Sequence, residues 1–143
     1  MAEITRKELI MILAMAGSQA YSYIRLAGVD LSGLNMRGFD LSRAQLMSSD
    51  LRNTDLSRAN LSWASLRQAD LCKANLDEAQ LEDAVLRGAN MTGASLINAN
   101  LKEANLEGAN LERANLYKAN LEEANLSGAN LSGTIMPNGT RHK

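Results

Sequence analysis

The sequence predicts an all-β solenoid, a chain that turns a corner every five residues and buries a single column of leucines. Three observations carry that prediction. From residue 29 to residue 133 the chain repeats in 21 consecutive five-residue units with no insertion. The central residue of each unit, here position i, is Leu throughout except at Met36 and Met91. Two residues earlier, position i−2 is Ala in 16 units, and its exceptions, Val29, Leu34, Phe39, Ser49 and Thr54, all fall near the start.

A period of five suits neither regular element. On an α-helix, at about 100° per residue, successive leucines would be offset by about 140° and scattered around the axis. On a straight strand side chains alternate, so an odd spacing sends successive leucines to opposite faces. A turn of about a right angle in each unit solves both problems, because every Leu and every Ala two residues before it then points to a common interior. Four units close a square coil of about 20 residues, and stacked coils pair their backbones in parallel at ~4.8 Å. The expected core is a column of Leu layers, represented by Leu31, Leu51, Leu71, Leu81, Leu101 and Leu121, and lined by Ala where space near the corner is short. Leu34 and Phe39 suggest a wider or distorted first coil. Asn and Asp dominate position i−1, where tolerance of unusual backbone angles and local hydrogen bonding would suit turns.

Runs such as Ala104-Asn105-Leu106-Glu107-Gly108 resemble the A(D/N)LXX signature of the pentapeptide-repeat family, and the match extends over about three quarters of the chain. The resemblance implies a right-handed quadrilateral parallel β-helix, here of about five coils; the period alone leaves the hand open. It also implies a mostly bacterial setting, in a family whose members are frequently of unknown function. The best understood members protect type II topoisomerases, such as gyrase, by imitating duplex DNA.

A solenoid exposes an apolar cross-section and unpaired strand edges at each end, so caps are expected. Residues 1–23 are assigned to an N-terminal cap, residues 24–136 to the β-helix and residues 137–143 to a C-terminal tail. Within the cap, Thr5 and Glu8 fit a capping box, Leu9, Ile12, Leu13 and Ala16 share one helix face, and Gly17 offers a stop. An α-helix over residues 5–16 follows. Ile24 and Leu26 already stand in repeat register. The competing reading of this segment is a secretory signal, with Arg6 and Lys7 before the apolar run and Ser18-Gln19-Ala20 like a cleavage site; Glu3 and Glu8 oppose it, and a cytoplasmic location is expected. At the other end, Pro137-Asn138-Gly139 reads as a turn, and Ile135 and Met136 are the residues available to cover the last layer. That thin cover makes a homodimer through the C-terminal end the expected oligomer.

Fifteen Lys and Arg against 16 Asp and Glu give a net charge of −1, so no global field draws the chain to nucleic acid or to a membrane. Direct nucleic-acid and membrane binding are not expected. One cysteine, Cys72, allows neither an internal disulfide nor a thiolate metal site. The single histidine, His142, stands next to the last residue, and no nucleophile–base pair or phosphate-binding Gly motif appears. An enzyme is not expected, nor a cofactor or metal.

Residues 20 apart should stack, which divides the outward positions among four walls. One gathers Glu82, Asp83, Glu103, Glu122 and Glu123 with Lys102, and carries Arg43 and Trp63 towards its N-terminal end. A second carries Met47, Arg67 and Arg87. A third holds Arg37, Arg58, Ile97, Tyr117 and Lys118. The acidic wall, Trp63, Ile97 and Tyr117 are the candidate contacts for a protein partner. The expected function is a rigid interaction module. The alternative is a DNA-mimicking topoisomerase protector, which a charge near zero and a length of ~25 Å, under one duplex turn, both disfavour.

Overall fold

The computed structural model describes Thr5, Glu8 and residues 24–143, and over the repeat it is a four-sided parallel β-helix. Parallel pairing always joins residues 20 apart, from Arg25 with Gln45 through to Asn115 with Ile135, so the coils stack without slippage. Among the described residues the pairing runs from Arg25 onward, with Ile24 and Leu26 in the repeat register. Leu26, Leu31, Met36, Leu41 and the leucines that follow them to Leu116 are buried, as are the i−2 alanines from Ala44 to Ala119. Inside and outside therefore alternate as the five-residue period requires.

The period is written in the hydrogen bonds. In the unit around Leu81, the N–H of Leu81 donates to Asn100 O in the following coil (2.7 Å), that of Asp83 to Lys102 O (3.0 Å), and that of Gln80 back to Ala59 O (2.9 Å). Ala84 N–H closes the corner onto Leu81 O (3.0 Å). Four of the five main-chain donors are thus paired with main-chain carbonyls, and the corner is a β-turn whose third residue, position i+2, has a positive φ. Gly occupies some of these sites, but 14 non-glycine residues from Arg43 to Glu123 also adopt φ between 54° and 60°. Type II turns require this left-handed region at that position. The expectation that Asn and Asp at i−1 absorb the unusual angle is thereby corrected: they lie in the pairing positions, and the angle falls three residues later.

Their local hydrogen bonding is as expected. Asn105 Oδ1 accepts from Glu107 N–H (3.0 Å), and Asp70, Asn90, Asn110 and Asn130 do the same for the residue two further on. This takes up the fifth donor of the unit. Many of these amides also bond to each other between coils, as Asn120 Nδ2 donates to Asn100 Oδ1 (3.2 Å). Where Ser or Thr replaces Ala in the interior, the hydroxyl finds a main-chain carbonyl: Ser49 on Leu46 O, Thr54 on Leu31 O and Thr134 on Leu111 O. Buried hydroxyls so satisfied cost little.

The first coil keeps the 20-residue register, so it is not lengthened; Val29, Leu34 and Phe39 are instead half-buried against the core. Among the described residues no earlier coil presses on them, which leaves room for bulk where later coils need Ala. Thr5 and Glu8 form the predicted capping box, with Thr5 N–H and Oγ1 donating to Glu8 Oε2 and Glu8 N–H donating to Thr5 Oγ1. The remaining residues of the expected helix, and the signal reading, lie outside the described residues.

At the C-terminal end the chain reverses through Pro137-Asn138-Gly139 and returns in antiparallel pairing, Ile135 with Arg141. His142 N–H donates to Thr134 O (2.7 Å), and Gly133 N–H to His142 O (2.9 Å). Tyr117 packs on this turn, its ring carbons 3.4 Å from where a Cβ on Gly139 would stand. The hairpin covers one of the four edges of the last coil. Leu121, Leu126 and Leu131 remain half-buried, so Leu121 is not the enclosed core residue expected of it: among the described residues no further coil stacks on it.

Several carboxylates in the repeat depend on being ionised. Asp55 is held below the usual carboxylate range by the Ser57 hydroxyl and by Ser57 N–H, and Asp50 by the Arg52 guanidinium. A depressed folded-state pKa contributes stability above the unfolded value, roughly 4, and that contribution is lost as pH falls through the folded value. Urea denaturation should accordingly show stability falling below about pH 4, and Asp55→Asn, which keeps the acceptor but not the charge, should flatten part of that slope by lowering neutral-pH stability while leaving acid stability nearly unchanged.

Candidate interaction surface

With every Leu and Ala turned inward, positions i+1 and i+2 reach out furthest, beside the partly exposed ladder residues at i−1, and the stacking places these side chains in four walls. The acidic wall is assembled as expected. Pairing of Asp40, Asn60, Gln80, Asn100 and Asn120 in one ladder stacks the corners that follow them. Glu82 and Asp83 are half-buried, and Glu103, Glu122 and Glu123 are exposed. Lys102 Nζ lies 3.7 Å from Glu103 Oε1, which leaves the wall with a net negative charge. Trp63 stands at its N-terminal end, 53% exposed, with the Arg43 guanidinium 5.4 Å from the ring centroid. The Trp ring is thus presented outward and steadied by a cation–π contact.

Ile97 and Tyr117 share a different wall, one coil apart, so the structure brings them to each other and not to Trp63. Neither is a free apolar anchor. Ile97 is half-buried, its N–H donating to Asp77 Oδ1 of the previous coil (3.0 Å). Tyr117 is 41% exposed, but its ring leans on the terminal turn and Lys118 Nζ lies 5.3 Å from its centroid. On the same wall Arg58 and Glu78 form a two-point ion pair (3.0 and 3.2 Å) that holds the Glu78 carboxyl below its usual range. Cys72, half-buried, faces a further wall, where Arg52 bridges Asp50 and Asp70. Among the described residues no group of His, Cys, Asp and Glu could hold a metal ion, and no helix is long and apolar enough to cross a membrane.

The wall of Met47, Arg67 and Arg87 is not among the expected contacts, yet it has a feature of its own. That feature is the run of Gln45, Ser65 and Val85 in successive coils, where the other ladders depart from Asn or Asp at single positions such as Gln80 and Ser95. The run is legible in the sequence once residues 20 apart are read together.

Stacked walls around a packed column define a repeat scaffold. The model of the family described as pentapeptide repeats matches in 8 copies over residues 24–62, 54–93, 64–102 and 94–133, and the chain belongs to that family, whose fold is the right-handed quadrilateral β-helix. A pentapeptide repeat protein, Rfr23, from the cyanobacterium Cyanothece 51142 is 38% identical, with 80% of this chain and 86% of that one covered and a TM-score of 0.61. Another, alr5209 from Nostoc Pcc 7120, is 27% identical over 85% of this chain and 93% of that one, with a TM-score of 0.50. QnrB1, a plasmid-mediated fluoroquinolone resistance protein, is 25% identical over 80% of this chain and 59% of that one; its TM-score of 0.39 is too low to carry more than kinship of sequence. No curated protein matches.

Proposed function

We propose that this protein is a non-enzymatic interaction module that presents its acidic wall and Trp63 to a protein partner carrying a basic surface. The observation behind this reading is the division of labour within each unit. The main chain is spent on pairing and the Leu and Ala on packing, so recognition falls to the outward positions. Only the acidic wall combines a concentration of one charge with a large, half-exposed aromatic. Trp is among the residues that dominate interface energies, and a rim of charge sets orientation and encounter rate. The module acts in the cytoplasm, touches neither nucleic acid nor membrane directly, carries a helical cap over Val29, Leu34 and Phe39, and pairs with a second copy through its C-terminal end.

Affinity capture from the native cell, with the partner identified by mass spectrometry and its affinity then measured, tests the proposal. Trp63→Ala and Glu103→Lys with Glu123→Lys should each weaken binding at least tenfold without altering the denaturation midpoint by more than a small shift. A partner that binds all variants equally overturns the choice of wall. Recovery of gyrase or topoisomerase IV subunits would establish the alternative, DNA-mimicking role.

A further inference from the structure

The fifth main-chain N–H of each unit, at position i+1, faces outward and is ordinarily occupied by the side-chain oxygen of Asn or Asp two residues earlier. From Leu31 onward that acceptor is missing in few places. Ser95 cannot supply it to Ile97, and Asp77 of the previous coil does so instead. For Met47, Arg67, Arg87 and Glu82 no acceptor stands among the described residues, because Gln45, Ser65, Val85 and Gln80 precede them. Three of these four unanswered donors are stacked one coil apart on a single wall.

Two of the three belong to arginines. Arg67 makes no ion pair among the described residues, and Arg87 Nη2 lies 3.2 Å from Glu107 Oε1. The next position along the corner is Gly at Gly88 and Gly108, so the wall is hollowed beside the guanidinium groups. An open depression of about 430 Å³ results, lined by Arg67, Gln68, Arg87, Gly88, Glu107 and Gly108. Its charged groups are two cations against one carboxylate. The four walls thus contain one place where outward main-chain donors, arginines and a hollow coincide. Glu82, the remaining unanswered donor, stands on the acidic wall.

We infer that this hollow binds a phosphoryl group, with the main-chain N–H and the guanidinium groups of Arg67 and Arg87 as its donors. Donors in adjacent coils are ~4.8 Å apart, which lets two oxygens of a tetrahedral oxyanion accept one N–H each. A third oxygen remains for the fork of a guanidinium, which matches phosphate in two-point geometry. A phosphoryl monoester supplies about −1.5 to −2 charge and three acceptor oxygens, where a carboxylate supplies one charge and two. Glu107 sits at the rim and exchanges its hold on Arg87 for solvent when the anion enters. The anion reaches the site as free phosphate or on a phosphorylated side chain of another protein.

Amide chemical shifts of the full chain, titrated with inorganic phosphate and with a phosphoserine peptide and its unphosphorylated form, test the inference. Saturable shifts are expected at Arg67, Arg87 and Gly88 with either phosphate source, and none at Glu82 or with the unphosphorylated peptide. A phosphopeptide that binds at least tenfold more tightly than inorganic phosphate identifies a phosphoprotein as the source; equal affinities identify the free ion. The discriminating variant is Ser65→Asn with Val85→Asn, which places side-chain oxygens on the two N–H groups without removing an arginine. Asn105 and Asn125 occupy the same ladder, so the fold accepts it. It should weaken phosphate binding at least tenfold. Wild-type affinity in that variant, the absence of saturation, or equal shifts at Glu82 would overturn the site.

Discussion

Leu81→Ala should destabilise the protein by about 2–5 kcal/mol, the range for truncating a buried Leu whose surroundings relax only in part. Leu81 is fully buried, with a coil on each side and Leu61 and Leu101 stacked on the same wall. Its main-chain N–H and carbonyl are both used, in the bonds with Asn100 and Ala84. Collapse onto the cavity would require adjacent coils to close below the spacing that their paired backbones hold. Glu82→Ala, one residue away and outward, removes no buried contact and should change stability by no more than roughly 0.5 kcal/mol. Chemical denaturation of both variants checks the pair. Equal losses would contradict the division of the chain into an inner column and outer walls.

Replacing Ser127 and Ser132 together by Glu should turn a dimer into a monomer in light scattering at matched concentration. The last coil presents unpaired groups on the edges that the terminal hairpin leaves open: the N–H groups of Leu121, Glu123, Leu126, Gly128 and Leu131 have no acceptor among the described residues. The carbonyls of Ala119, Ala124 and Ala129 on the same edges accept nothing there. Each open edge therefore carries both donors and acceptors. A second copy related by a two-fold axis would bring the same edges in antiparallel sense, so that each would satisfy the other, with Leu121, Leu126 and Leu131 of both chains meeting in the middle. Such a contact closes on itself and does not propagate into fibres. Ser127 and Ser132 are exposed at the rim, where added like charges face each other across the axis without entering either core. A dimer that persists in the double variant would place the contact elsewhere, and an unmodified protein that stays monomeric at high concentration would show that the hairpin suffices as a cap.

What the sequence by itself determined is the architecture. A five-residue period with Leu at the centre and Ala two places before it admits one common interior only if the chain turns a corner in each unit, and from this follow the 20-residue coil, the buried column and the membership of each wall. These are consequences of local geometry repeated, and Leu31 through Leu101 obey them. What only the tertiary structure decided are features set between coils, by residues 20 apart or by the lack of a neighbour. The positive φ falls at i+2 and not on the Asn and Asp, because the pairing of successive coils claims position i−1 for the ladder. Leu121 is half-exposed because nothing stacks on it, although its unit reads like any other. His142 is fixed in a hairpin because Thr134 and Gly133 offer it an open edge. Among the described residues Met47, Arg67 and Arg87 have no acceptor for their N–H groups while Ile97, equally without an Asn or Asp before it, does, since only Ile97 has an Asp on the neighbouring coil to answer it. A hydrogen bond between coils depends on both partners, and a repeat read one unit at a time contains only one of them.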